Sequence, residues 1–232
     1  MNSYYKKLTF VKKKIIDYLE QIFKVYGNEL VLSLEEYNLL SNKSNCLETS
    51  TAIGFILEEF ITSKLEIYSQ EHNNKTEIKV QKTTGLKTNK LSYDCYIKYE
   101  DVFFMVNIKV EKKGSSNDAV AAVNALYNDY VLNDPTKEKA YLILKTYYGF
   151  GISQKDQQRK IMIKGIDGYF LEEFDFSNGY KKDNRNWSQT YKANSGRLLL
   201  PKKFRKENKL AVEFISFQQT KSFLENIYKV DN

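Results

Sequence analysis

Cysteine, histidine and proline are scarce in this chain of 232 residues, and each scarcity excludes chemistry. Two cysteines, Cys46 and Cys95, allow neither a disulfide framework nor a four-cysteine zinc site. A reducing, cytoplasmic setting suits that usage. A single histidine, His72, removes two-histidine metal sites and histidine-dependent nuclease motifs. It lies in a polar stretch that reads as an exposed loop, so triad chemistry has no natural centre. No phosphate-binding glycine pattern of the GxxxxGK[ST] or GxGxxG type occurs. No apolar run approaches the ~18 residues a membrane helix needs. The lysine-rich start, Met1 to Lys14, does not read as a signal peptide. Two prolines and ten glycines leave no long hinge, so one continuous domain is expected. Chemistry, if present, must come from Asp, Glu, Lys, Asn and an oxygen-loving metal.

What is abundant is positive charge, and it is unevenly placed. The net charge is +7, yet residues 181–209 alone carry ten basic residues against Asp183 and Glu207, leaving the remainder near −1. A concentrated basic segment suits a polyanion, with double-stranded DNA the expected partner.

Periodicity orders the elements. Apolar spacing predicts a helix over Tyr4–Tyr26 that stops at Gly27, and Ser33-Leu34-Glu35-Glu36 has the form of a capping box. A second long helix is expected over 49–70, with Ile53, Ile56, Leu57, Phe60, Ile61 and Lys64 on one face. Strands are expected over 76–84, 91–99 and 102–111, then a helix over 117–131 with Ala119, Ala122 and Ala125 along one side, and a strand over 140–148. Gly149-Phe150-Gly151 reads as a loop. A strand over 160–164, another over 212–217 and a closing helix over 220–229 complete the reading. The fold class is α/β with a mixed sheet, in the order αβββαβ over residues 49–148.

The stretch from Ser92 to Lys109 carries the chemistry. Read as a hairpin turning at Glu100-Asp101, its paired residue numbers sum to 201, which sets Asp94 opposite Asn107. Lys109 shares the face of Asn107 because strand side chains alternate. The other face, from Cys95 through Val110, is apolar and holds the register. The turn is the weak point, since Glu-Asp lacks the Asn-Gly preference of tight hairpins. An Asp oxygen and an Asn carbonyl can bind Mg²⁺, and a lysine beside them can orient water or offset charge on a phosphate. The bland alternative is an Asp–Lys pair on a solvated sheet face.

With Asp94 at the start of the second strand and Asn107-Ile108-Lys109 at the end of the third, the chain resembles the PD-(D/E)xK nucleases, and within them small type II restriction endonucleases. The resemblance covers residues 49–148. It implies a restriction-endonuclease-like core in which Asp94 binds metal, Asn107 takes the acidic position and Lys109 positions water. Tyr93 stands where the family has proline, and Asn107 where it has an acid. A further acid on the preceding helix is implied, for which Glu58 and Glu59 are equal candidates, and Glu111 continues the same face as a substitute ligand. The cofactor implied is Mg²⁺.

The same resemblance assigns residues 1–48 to N-terminal helices available for homodimerisation and 149–232 to DNA recognition in a bacterial cytoplasmic restriction system. Gln154, Lys155, Arg159, Arg185, Asn186, Gln189, Lys192, Asn194 and Arg197 have side chains suited to base edges or phosphates. Lys202, Lys203 and Arg205 suit phosphates. Trp187 reads either as a stacking side chain or as core. The rival readings are a repair or junction nuclease on the same core and a catalytically inactive DNA-binding protein.

Overall fold

The computed structural model describes residues 3–27, 29–30, 50–71, 77–84, 91–114, 119–157, 159–174, 181–183, 196–200 and 216–229. The elements are α1 (Ser3–Tyr26), β1 (Glu29–Leu30), α2 (Ser50–Glu71), β2 (Val80–Lys82), β3 (Cys95–Tyr99), β4 (Val102–Lys112) and β5 (Ala119–Ala122). They continue with α3 (Val123–Leu126) running into a π-helical turn (Tyr127–Leu132), β6 (Lys139–Ile152), β7 (Arg159–Phe170), β8 (Lys181–Asp183), β9 (Arg197–Leu199) and α4 (Phe217–Lys229). The class is mixed α/β. One sheet has the order β1-β7-β6-β4-β3-β2, and a smaller one has the order β5-β9-β8. Within the larger sheet β4 and β6 are parallel and the other pairs antiparallel.

The central strands are covered on both faces. On one face, α1 and α2 pack against each other and against the sheet, with Ile16 of α1 close to Gly168 of β7, beside Leu144 of β6. On the other, Asn107 of β4 reaches Val120 of β5, and Tyr130 packs on Phe217 of α4. Double coverage explains why β6 is apolar almost without interruption from Ala140 to Leu144. The α1 stripe (Leu8, Val11, Ile15, Leu19, Ile22 and Phe23) is buried within this chain. At about 1.5–3 kcal/mol per large apolar side chain, that burial serves the chain's own core. The expected use of this apolar helix face for dimerisation is therefore not available.

Several expected elements shift. The first helix and its Gly27 stop are where the spacing puts them, with Gly27 at φ 82°. On α2 the buried stripe is Ile53, Leu57, Ile61 and Leu65, while Ile56 is 49% exposed. The strand expected over 76–84 contracts to Val80–Lys82, and that expected over 91–99 begins at Cys95. The helix expected over 117–131 is replaced by β5, which pairs with β9, and only then by the short α3 and the π turn. A distant strand partner outweighs the local alanine spacing there. Gly149-Phe150-Gly151 is not a loop but part of β6, paired with Met162, Ile161 and Lys160 of β7. Phe217 opens the last helix instead of closing a strand. The capping box at Ser33, His72, Trp187 and residues 212–215 of the expected strand lie outside the described residues.

The β3–β4 register has the expected sum of 201 from Cys95↔Val106 to Tyr99↔Val102. The turn is tight despite its unfavourable residues. Glu100 takes the left-handed conformation at φ 52°, and Lys7 of α1 bridges Glu100 at 3.1 Å and also Asp101. A left-handed non-glycine residue costs about 1 kcal/mol, and an exposed ion pair recovers little of it. Glu100→Gly is therefore expected to stabilise the protein by up to about 1 kcal/mol, seen as a higher urea midpoint with an unchanged slope.

Candidate active site at the open edge of β4

β4 outruns β3. The antiparallel pairing ends at Cys95↔Val106, while β4 continues to Lys112. Backbone N–H groups two residues apart on a strand point to the same side, so Ile108 and Val110 present donors where β3 has already ended. Two carboxylates take the missing strand's place. Asp94 Oδ2 accepts from the Ile108 N–H at 2.7 Å, and Glu58 of α2 accepts from the Val110 N–H. The two anchoring nitrogens are about 7 Å apart along the strand. Lys109 lies between them in sequence, and its charge acts on both carboxylates.

Asp94 is fixed through its backbone. Its N–H donates to Val106 O at 2.9 Å, and its carbonyl accepts from the N–H of Thr83 at 3.1 Å and from Thr83 Oγ1 at 2.8 Å. Burial raises the pKa of both acids above the usual carboxylate range. For Asp94 this is opposed by the Ile108 hydrogen bond and Lys109, and reinforced by Glu59. For Glu58 it is opposed by Lys109 and the Val110 N–H, and reinforced by Asp94. Two partly desolvated carboxylates sharing one ammonium form a site with an unmet demand for positive charge.

The structure separates the two helix acids that periodicity could not. Glu58 turns to β4, whereas Glu59 is largely exposed and pairs with Lys82 of β2. The rotation of about 100° between consecutive helix residues and the lysine on β2 decide this, and which side meets β4 is not visible in the spacing of α2.

Asn107 is placed differently from the expected patch. It is buried, and its amide nitrogen donates to Ser92 O at 2.6 Å, Tyr141 Oη at 2.8 Å and Val120 O at 3.4 Å. The Asp94 carboxylate, nominally opposite, has turned along the strand to Ile108 instead. Asn107 thus ties together β4, β5, β6 and the segment before β3. Ser92, Tyr141 and Val120, which sequence reasoning missed, share that role.

Glu111 is buried and ion-paired with Lys145 of β6 at 2.8 Å. Lys145 sits beside Lys109 in the parallel register, so this pair neighbours the site on the same face. Glu111 is therefore committed to a lysine. No local pattern predicts this, because the β4–β6 register depends on the crossover that joins Lys112 to Lys139.

Of the expected DNA-contacting residues, Gln154 and Lys155 are exposed at the turn between β6 and β7, Arg159 begins β7, and Arg197 is exposed on β9. Arg185, Asn186, Gln189, Lys192, Asn194, Lys202, Lys203 and Arg205 lie outside the described residues. Among the described residues no group of three or more His, Cys, Asp or Glu side chains is placed to hold a metal ion, and no helix is long and apolar enough to cross a membrane. No family model matches the chain, and no curated protein matches it.

Two substitutions test these assignments. Asn107→Asp sets a carboxylate against the carbonyls of Ser92 and Val120. Burial there favours the protonated acid, so stability should match wild type most closely below about pH 4 and fall as the acid ionises, by about 2–4 kcal/mol at pH 7. Urea titrations at pH 4 and pH 7 measure the difference. Glu111→Ala takes the carboxylate at 2.8 Å away from the buried Lys145 ammonium and should cost about 3–5 kcal/mol, whereas the double substitution Glu111→Leu with Lys145→Met should cost much less.

Proposed function

We propose that the protein is a metal-dependent nuclease that hydrolyses a phosphodiester of duplex DNA at the open edge of β4, as a type II restriction endonuclease does. The single observation that carries this reading is the convergence of Asp94, Glu58 and Lys109 on adjacent positions of one strand edge. The element order α2-β2-β3-β4, then β5 and α3, then β6, supports the same restriction-endonuclease-like core.

The donor set fits Mg²⁺, which is commonly held by one or two carboxylates together with substrate phosphate oxygens and water. Asp94 and Glu58 would hold it, and the ion would supply positive charge against the phosphate and acidify attacking water. Asp94 and Glu58 contribute hard oxygen ligands already oriented by backbone N–H groups. Lys109, fixed between those anchors, places an ammonium where a phosphate oxygen or an attacking water would lie, and offsets charge that builds on the phosphate. Asn107 acts through position: it holds the strand that carries Lys109. Homodimerisation, cleavage within a short palindrome and a bacterial cytoplasmic restriction role complete the reading, with residues 149–232 reading the DNA.

The test is nicking and linearisation of plasmid by the purified chain with and without Mg²⁺. Asp94→Asn, Glu58→Gln and Lys109→Ala should each lower the cleavage rate at least about a hundredfold, while Glu59→Gln should stay within about threefold of wild type. Metal-dependent cleavage unaffected by Lys109→Ala would sink the assignment. A discrete band pattern on one long duplex supports a restriction enzyme; uniform degradation favours a repair-type nuclease.

Stability supplies a second readout. An acid whose folded pKa is raised opposes folding once ionised. The penalty is absent below the ordinary carboxylate pKa and complete above the raised folded value. Asp94→Asn keeps an oxygen for the Ile108 N–H and removes that penalty. It should therefore raise the urea midpoint at pH 7, and not at pH 3, in the same variant that loses cleavage.

A further inference from the structure

β6 and β7 extend past the end of β4. The last β4–β6 pair is Lys112↔Tyr148, but β6 runs on to Ile152 and β7 returns from Arg159. Beyond β4 the two strands form a finger, which among the described residues β1 meets at Ile161 and Met162. It projects from the end of β4 that carries Lys109, so finger and candidate site share one end of the sheet.

Lysines line the passage between them. Lys112 ends β4 on the opposite face from Lys109, its Nζ 5.3 Å from the centre of the Phe150 ring, and takes no part in the passage. Lys113 follows, exposed, its N–H bonded to Tyr148 O at 2.7 Å. The β6–β7 register jumps from Tyr147↔Gly165 to Tyr148↔Ile163, which leaves Lys164 as the extra residue of a bulge. A bulge re-aims a side chain. Lys164 is exposed, and its stem passes over Gly149. Lys155 stands exposed at the tip. Two neighbouring acids are engaged: Glu111 by Lys145 and Asp156 by Lys160. Lys113 and Lys164 have no acidic partner among the described residues.

We propose that Lys113 and Lys164, on the face of the sheet that carries Lys109, form a phosphate-binding strip that carries duplex DNA from the Asp94–Glu58–Lys109 edge onto the β6–β7 finger. This rests on the nuclease reading. From Lys109 to Lys113 is about 13 Å along β4, and DNA rises about 3.4 Å per nucleotide in each strand. A strand cleaved at the edge therefore passes several phosphates over these ammonium groups. The strip consists of lysine ammonium groups, which hold phosphates as point charges, so it guides the backbone without reading sequence.

The test measures binding of the full chain, in EDTA, to a fluorescein-labelled 30-base-pair duplex by anisotropy across a sodium chloride series. The combined variant Lys113→Gln, Lys164→Gln should lower the magnitude of the log K against log [salt] slope by about 1.8, at about 0.9 for each phosphate no longer neutralised. The corresponding Lys→Arg double variant should keep the wild-type slope. A control triple variant at exposed lysines of α1, Lys6→Gln, Lys13→Gln and Lys24→Gln, should also keep it. An unchanged slope in the strip variant, or an equal fall in the control, overturns the strip. If the protein still cuts duplex in Mg²⁺, the nuclease reading survives that result. Failure of wild type both to bind and to cut any duplex overturns both.

Discussion

The arrangement at the candidate site follows from one mismatch in length. β4 is eleven residues long and β3 is five, so backbone donors of β4 emerge with no strand to receive them. A buried N–H without an acceptor costs about as much as a lost hydrogen bond, and the fold supplies acceptors from the two segments that border the gap. One is Asp94, where the chain enters β3. The other is Glu58, on the helix that packs over β4. Those two carboxylates meet beside Lys109 because they are completing a sheet edge.

That solution carries a cost which is itself informative. Each carboxylate is drawn out of water, and both have pKa values raised by burial. A structural acceptor for an N–H need not be ionisable; a carbonyl or a hydroxyl would suffice. Two acids and one lysine in partial burial set two carboxylates against one ammonium, a balance that the proposed Mg²⁺ would complete. The adjoining Glu111–Lys145 pair differs in kind. It is fully buried and balanced, and it separates a second lysine from the first without adding net charge to the face.

Legibility varies with how local the determining interactions are. The 201 register can be read because alternation from Cys95 to Val110 leaves one consistent pairing, and β3–β4 is a hairpin with no intervening chain. α1 can be read from its stripe and Gly27. The segment 119–122 reads as helix by its alanines, yet it is a strand, because its partner β9 is more than seventy residues away. The Gly-Phe-Gly segment reads as a loop because glycines usually interrupt strands, whereas β6 carries them through with β7 paired opposite. Asn107 departs from its expected place because pairing numbers give the position of a residue but not the direction of its amide, and Tyr141 and Ser92 pull it inward.

The sequence by itself determined which residue types were available for chemistry, the mixed α/β class, the hairpin register, and the proximity of Asp94 to the end of β4. These depend on composition and on periodicities of two and 3.6 residues, which are local. The tertiary structure decided which helix acid faces the strand, that Glu111 is bound to Lys145, that Asn107 is a tie between strands, and that a bulge presents Lys164 to solvent. Each of those depends on where one element stops relative to another. That is set by packing between distant segments, about which a local pattern holds no information.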